Sequence, residues 1–287
     1  MANGALVWDK IGDRLYETGT RDVALYVYNA ASPSDPYPQG VAWNGVTGVT
    51  ESPSGAEPTD LWADDIKYAT MRSTEQLGGT ISAYMYPDEW MECDGSKAIA
   101  AGVDVGMQTR KQFGLAYITR IGNDTELNDH AEKLHLIYGC TAKPASRDYK
   151  TVNDSPEAIT FSWEFTTNPI EVGAGFKPTS IITIDSTKVN AALYASFKTV
   201  IYGGPASQAR LPLPSEVLDY FGSLFHYVYE EVETAPDDWA VTYINYYTRV
   251  GEEGSYAYIP VPAAAKVEDI PAFTSDTFYK RTITTNS

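Results

Sequence analysis

Histidine, cysteine and clustered carboxylates are where catalysis or metal binding would begin, and this chain offers few of them. Its histidines are His130, His135 and His226, and its cysteines are Cys93 and Cys140. His130, His135 and Cys140 follow at intervals of five, which fits neither one face of a helix nor a zinc knuckle. His135 sits inside the apolar alternation of KLHLIY and reads as structural; both cysteines read as small buried side chains. The run NDTELND gathers Asp124, Glu126 and Asp129 but lacks the glycine and closing glutamate of a calcium loop, so it reads as a polar turn. TDLWADDIKY sets Asp60, Asp64 and Asp65 around an aromatic, as a carbohydrate cleft would. Glu164 is a carboxylate on a strand, yet a glycosidase needs a second one at a set distance. The sequence holds no G-x-S-x-G, P-loop or G-x-G-x-x-G. No catalytic, cofactor or metal site is specified, and the expectation is a protein that is not an enzyme. A carbohydrate-binding module or glycosidase is the rival from a different class.

The elements that would carry these residues are mostly strands. In EAITFSWEFTT, from Glu157 to Thr167, Ile159, Phe161, Trp163 and Phe165 point one way, while Thr160, Ser162, Glu164 and Thr166 point the other. Four large apolar side chains on one side, each worth about 1.5–3 kcal/mol when buried, put that face on the subunit core. The opposite face is wet, and the water it sees is either outer solvent or an enclosed channel. Strand patterns recur at 22–29, 40–50, 64–72, 80–86, 111–122, 132–139 and 179–185, which predicts a sandwich or barrel. DVALYVYN and TISAYMY carry little charge or proline in their interiors and read as unpaired sheet edges suited to self-association. Helices are few. Pro87 to Gly95 predicts one short helix, and 187–204 a longer one with Val189, Ala192, Leu193, Phe197, Val200 and Ile201 on one face. A third begins near Pro214 with Ser215 as its cap.

VTESPSGAEPTDLWA, residues 49–63, has two prolines and little periodicity. A structureless stretch of this length inside a sheet domain is functional or mobile. With its continuation to Ile66 it reads as a projecting arm whose Leu61 and Trp62 dock on another subunit; the alternative is a lid over its own core.

The chain has 287 residues and a net charge of −17. Nucleic acid as a gripped ligand needs clustered Lys and Arg, so it is disfavoured. The acidity is uneven: residues 1–211 carry 26 acids and 17 bases, residues 212–287 carry 12 and 4. The last quarter is a different material. Two cysteines without a CxxC exclude a disulfide framework. No secretory signal or membrane-spanning apolar run is evident, so the expectation is a protein made in the cytoplasm without a membrane anchor.

Longer strings carry a resemblance. PTDLWADDIKY, GGTISAYMYPDEWMECDGS, GMQTRKQFGLAYITRIGNDTE, KLHLIYGCTAKPASRDYKTVNDSPEAITFSWEFTTNPI and KPTSIITIDSTK, in this order, resemble the major tail (tail tube) proteins of long-tailed bacteriophages, particularly those of Gram-positive hosts. The resemblance spans roughly residues 5–215; NDSPEAITFSWEFTT and PDEWMECDGS are its most specific parts. It implies a mainly β fold, a β-sandwich or half-barrel with a short flanking helix, in a tail tube core domain over 1–213. Residues 214–287 would form a small, external C-terminal extension. It also implies a structural virion protein that stacks as hexameric rings into a tube conducting DNA. Partners would then be other copies of the chain, a tape measure protein, and tail terminator and distal tail proteins, with DNA passing unbound and no cofactor. The place of action would be the virion tail, after assembly in the host cytoplasm. Inter-ring contacts would fall on Leu61, Trp62, Asp64, Asp65 and Ile66, and the possible lumen face on Thr160, Ser162, Glu164 and Thr166. A tube subunit of a phage-derived injection device fits the same strings.

Overall fold

Period-two patterning in the first 185 residues resolves into strands. The computed structural model describes residues 8, 10–55, 57–151, 158–173, 175–205, 207–221, 226–232, 246–250, 257–260 and 278–284. In chain order the first elements are β1 (Tyr16–Val27), β2 (Gly40–Ala42), β3 (Val46–Ser54), β4 (Pro58–Ala63), β5 (Ile66–Arg72) and β6 (Gln76–Ala83). Then come α1 (Trp90–Cys93), β7 (Lys97–Ala100), β8 (Val103–Val105), β9 (Phe113–Asn123), β10 (Leu127–Ala142), β11 (Phe161–Thr167) and β12 (Ile181–Asp185). α2 (Ala191–Tyr202), α3 (Pro214–Phe221), β13 (His226–Val232), β14 (Tyr246–Val250), β15 (Ala257–Pro260) and β16 (Phe278–Thr284) complete the chain. The fold is mainly β, as the sequence predicts.

The chain divides into two compact units, one of residues 1–28, 41–170 and 178–183, the other of 29–40, 171–177 and 184–287. The boundary read at 213/214 therefore falls inside the second unit. Segments between Leu213 and the first unit belong with α3 because Leu211 N–H donates to Tyr37 O, and Arg210 pairs with Glu216 through both guanidinium nitrogens at 3.1 and 3.0 Å. α2 is capped by Asn190, whose Oδ1 accepts from Ala192 N and Leu193 N. Its buried stripe is Tyr194, Phe197 and Ile201, so Val189, Ala192 and Leu193 are not the buried set. α3 is not capped by Ser215: Glu216 reaches back to the Leu213 N–H at 2.8 Å, as the returning half of a capping box does. A four-stranded sheet runs in the order β13-β16-β14-β15. Most of the predicted C-terminal extension lies outside the described residues.

In the first unit the main sheet runs β2-β1-β9-β10-β11-β6-β3, with β12 pairing β10. β10 pairs β9 along Leu127–Cys140 but meets β11 only over Cys140–Ala142. The two ends of the sheet come together, since Tyr117 of β9 bonds Glu51 of β3. Residues of both halves (Val23, Leu25, Leu115 and Ile137; Ile81, Trp163 and Phe165) join one core cluster, and α1 adds Trp90 and Cys93. Gly79 permits the close approach, since a Cβ there would run into Thr50 O and Phe165 Cζ. DVALYVYN and TISAYMY are not edges. β1 lies between β2 and β9, and β6 between β11 and β3, so their low charge reflects pairing on both sides. The true edges are blunted in the usual ways: β2 has three residues, and β3 carries Glu51 and Pro53.

Within EAITFSWEFTT the strand begins at Phe161, two residues after Ile159. Trp163 and Phe165 are fully buried and Phe161 half-buried, as the alternation predicts. Ile159 is 37% exposed and is not a core residue. The pattern holds only where cross-strand partners fix the register, and the pairing with β6 starts at Phe161↔Ala83.

Candidate assembly surface

The stretch read as structureless is a β-ribbon. β4 and β5 pair from Pro58↔Arg72 to Ala63↔Ile66, joined by a two-residue turn, Asp64-Asp65. Both turn residues have positive φ, 52° and 60°, the pattern of a type I′ hairpin whose twist matches its strands. Pro58 opens the strand, where its missing N–H costs no ladder bond. Asp60 Oδ1 accepts from Thr70 Oγ1 at 2.8 Å and lies 2.7 Å from Lys67 Nζ, tying the strands together. The Lys67 hydrogen bond, then that of Thr70, holds the Asp60 carboxyl below its ordinary range.

Register sorts the ribbon into two faces. Leu61, Ala63, Ile66, Ala69 and Met71 share one; Asp60, Trp62, Lys67 and Thr70 share the other. Leu61 and Trp62, read from sequence as joint anchors, therefore point to opposite sides. Trp62 is 68% exposed and Tyr68 73%; Leu61, Ile66 and Met71 are exposed too. Neither Leu61 nor Trp62 belongs to the core cluster, so the lid alternative does not describe this arrangement. Asp64 and Asp65 are exposed at the tip. The free ribbon spans Pro58–Arg72 rather than 49–66, because Val49 packs against the core. Sequence reasoning missed Ala69 and Met71, although ATM at 69–71 continues the alternation of the opposite strand.

A polar network grips the strand that leads to the arm. Tyr117 and His135 are register partners on β9 and β10, and their rings stack at 4.6 Å with planes 4° apart. Tyr117 Oη donates to Glu51 Oε1 on β3, and His135 Nδ1 lies 3.5 Å from the same oxygen. On the far side, Thr119 Oγ1 donates to Glu17 Oε1 at 2.6 Å and sits 3.0 Å from His135 Nε2. Lys133 Nζ pairs with Glu17 Oε2. The close approach of His135 is the largest influence on Glu51 and, with the Tyr117 hydrogen bond, outweighs burial to hold the carboxyl below its ordinary value. Burial alone would raise Glu17, but hydrogen bonds from Lys133 and Thr119 lower it. Burial pushes the Tyr117 hydroxyl up, and the Glu51 hydrogen bond pushes it further. His135 is structural, as read, but its partners were not foreseen.

The wet face of β11 is built as predicted over its strand residues. Ser162, Glu164 and Thr166 are exposed, with register partners Ser82, Thr80 and Gly78; Thr160 is exposed but precedes the strand. β3 extends this surface, with Thr50 opposite Thr80. The result is a band of hydroxyls whose one carboxylate, Glu164, is matched by Lys143 at 3.1 Å.

The acidic run spans the β9–β10 turn, and His130 lies near the start of β10. Asn123 Oδ1 accepts from Thr125 N and Glu126 N, an Asx-type turn, as the polar-turn reading expects. Both cysteines are buried and unpaired, and burial raises each thiol well above its ordinary range. Among the described residues no group of three or more His, Cys, Asp or Glu is placed to hold a metal, and no helix is long and apolar enough to cross a membrane. Compared with known proteins, the chain matches no family model and no curated protein, so a functional reading rests on its own residues and geometry.

Proposed function

We propose that this chain is a structural subunit that polymerises with itself into stacked rings, forming a tube like that of a long-tailed phage. The observation that carries the reading is the Pro58–Arg72 ribbon, which displays Leu61, Trp62, Ile66, Tyr68 and Met71 to solvent. A two-stranded ribbon with exposed apolar side chains is marginal in water and gains stability when another surface covers it. The blunted edges of the main sheet direct association to that ribbon and away from indiscriminate edge pairing. The hydroxyl band of Thr50, Thr80, Ser82, Ser162 and Thr166 suits a channel wall for a polyanion, because Lys143 beside it is neutralised by Glu164. A net charge of −17 adds a field that repels DNA and does not retain it. Hexameric ring symmetry, a virion tail location and the tape measure, terminator and distal tail proteins as partners come with the family resemblance.

Negative-stain microscopy and sedimentation of the full chain at micromolar concentration, with and without a preformed tail initiator, test the proposal. Rings or tubes are the expected result. A compact monomer up to about 1 mM under both conditions overturns it. A monomer that also binds glycan would turn attention to the carbohydrate-binding alternative.

A further inference from the structure

A second ribbon in the same unit pairs only with itself among the described residues. β7 and β8 pair only with each other, from Lys97↔Val105 to Ala100↔Val103. Every residue of both strands is exposed; Ile99, in the bulge, is 71% exposed, and Val103, Val105 and Met107 are also open. The base, in contrast, is fixed. Gln108 N–H donates to Gly95 O, Lys111 N–H donates to Glu92 O, and Lys111 Nζ pairs with Glu92 at 2.6 Å, all against the buried α1 residues Trp90 and Cys93. A rigid base beneath an uncovered apolar blade is a poor use of sequence unless something covers the blade.

The register puts Ala100, Val103 and Val105 on one face together with Lys97. Within residues 97–105 the charged side chains are Lys97 and Asp104, and the register puts Asp104 on the other face, so the apolar face carries a positive charge alone. The β4–β5 ribbon has the opposite balance: Glu57, Asp60, Asp64 and Asp65 against Lys67 and Arg72, with both free aspartates at its tip. Its apolar face likewise exposes Leu61, Ile66 and Met71. Two unpartnered ribbons, each with one apolar face and of opposite local charge, are complementary surfaces on identical subunits.

We infer that the β7–β8 ribbon is the receptor for the β4–β5 arm of a second copy of this chain, with Lys97 facing the Asp64-Asp65 tip and the two apolar faces in contact. This rests on the self-assembly reading and adds where the arm lands. A contact between two different patches of identical chains is heterologous, so it propagates from copy to copy, as a growing polymer requires. Opposed charges then select the register of docking among otherwise self-repelling acidic subunits.

The test uses the full chain in four variants and the critical concentration for polymerisation, read by sedimentation. Val103→Asp with Val105→Asp should raise that concentration at least tenfold while leaving subunit melting unchanged, since both side chains are exposed. Lys97→Glu alone, and Asp64→Lys with Asp65→Lys alone, should each raise it severalfold. All three charge changes in one chain should return it to within about threefold of the parent. Normal polymerisation by the Val103/Val105 variant, with the arm variant impaired, would overturn this receptor while leaving the tube reading intact. Failure of the combined chain to recover overturns it as well. A parent chain that never polymerises overturns both inferences together.

Discussion

Trp163 and Trp62 sit on strands of the same unit, and their surroundings could hardly differ more. Trp163 is fully buried, with the Trp43 ring 5.7 Å away and the Trp90 ring 5.3 Å away, both near edge-on, and the Phe161 ring stacked at 5.6 Å. Trp62 stands on a two-stranded ribbon with most of its surface in water. Alternation gives both of them a strand face, so periodicity alone does not separate core from interface. The difference comes from the number of layers. β11 is flanked by β10 and β6 and backed by α1 and core residues from the other strands of the sheet; β4 pairs with β5 alone among the described residues. Buried aromatics of the first kind stabilise the subunit, whereas those of the second kind have stabilisation to give only to a complex.

The largest expected effect tests the first half of that contrast. Trp163→Ala should destabilise the subunit by about 3–5 kcal/mol, because the cavity is lined by rings too large to close over it. Urea unfolding of the isolated subunit measures this. A loss under 1 kcal/mol would mean that the three-tryptophan cluster is not the centre of the fold.

Trp62→Ala is the mirror experiment. It should leave subunit stability within about 0.5 kcal/mol of the parent, as surface changes do. In self-assembly it should cost about 2 kcal/mol or more per contact, as truncating a buried aromatic anchor does. The comparison of critical concentration with melting temperature, done on one preparation, separates the two. A variant that melts early and polymerises normally would reverse the assignment and restore the lid reading.

Between core and ribbon lies the Glu51 network, and its effect should be intermediate and pH-dependent. Glu17 and Glu51 are both held below the ordinary carboxyl value of 4.5. The unfolded chain therefore takes up protons first as the solution is acidified. The stability that these carboxylates contribute is complete above about pH 4.5 and is lost as pH falls through their lowered folded values. Glu51→Gln should cost about 1–3 kcal/mol at pH 7, since it weakens the Tyr117 bond and the His135 contact, and should flatten the acid limb of the stability curve. Urea midpoints of parent and variant between pH 7 and 3 test this; curves that stay parallel would show that Glu51 does not titrate with folding.

Much of this fold was legible because period-two patterning is local. The strand at 132–139 falls within a longer observed strand, those at 22–29 and 111–122 overlap β1 and β9 with ends off by two residues, and the Phe161–Phe165 core face is as read. What escaped was non-local or chemically disguised. Glu17, Glu51, Tyr117 and His135 are scattered through more than 100 residues and converge only because the sheet folds back, so no spacing announces them. The β4–β5 turn uses Asp64-Asp65 at positive φ instead of the Asn-Gly or Asp-Gly pair that signals a hairpin. Pro53 and Pro58 looked like breakers, yet one lies on an edge strand and the other opens a strand. KAIAAGVDV, the β7–β8 ribbon, is rich in alanine, which carries little strand preference. Ile159 was assigned to the core by extending an alternation beyond the point where pairing holds it.

The smallest effect probes the ribbon on its own terms. Asp65 has φ of 60°, a conformation in which a side chain crowds the following carbonyl at a cost of about 1–2 kcal/mol, though aspartate tolerates it better than most residues. Asp65→Gly removes that crowding but adds chain entropy to the open state, a penalty of about 0.5–1 kcal/mol. The net gain should be about half a kcal/mol, enough to slow hydrogen exchange of the ribbon amides roughly twofold. Because the ribbon has only its own ladder, it should open without the core, and the subunit's melting temperature should not move. Exchange that slows at the arm alone would confirm that the two regions are energetically separate. A parallel rise in global melting would show that the arm unfolds with the core. The contrast between Trp163 and Trp62 would then be one of exposure only, and not of what each residue stabilises.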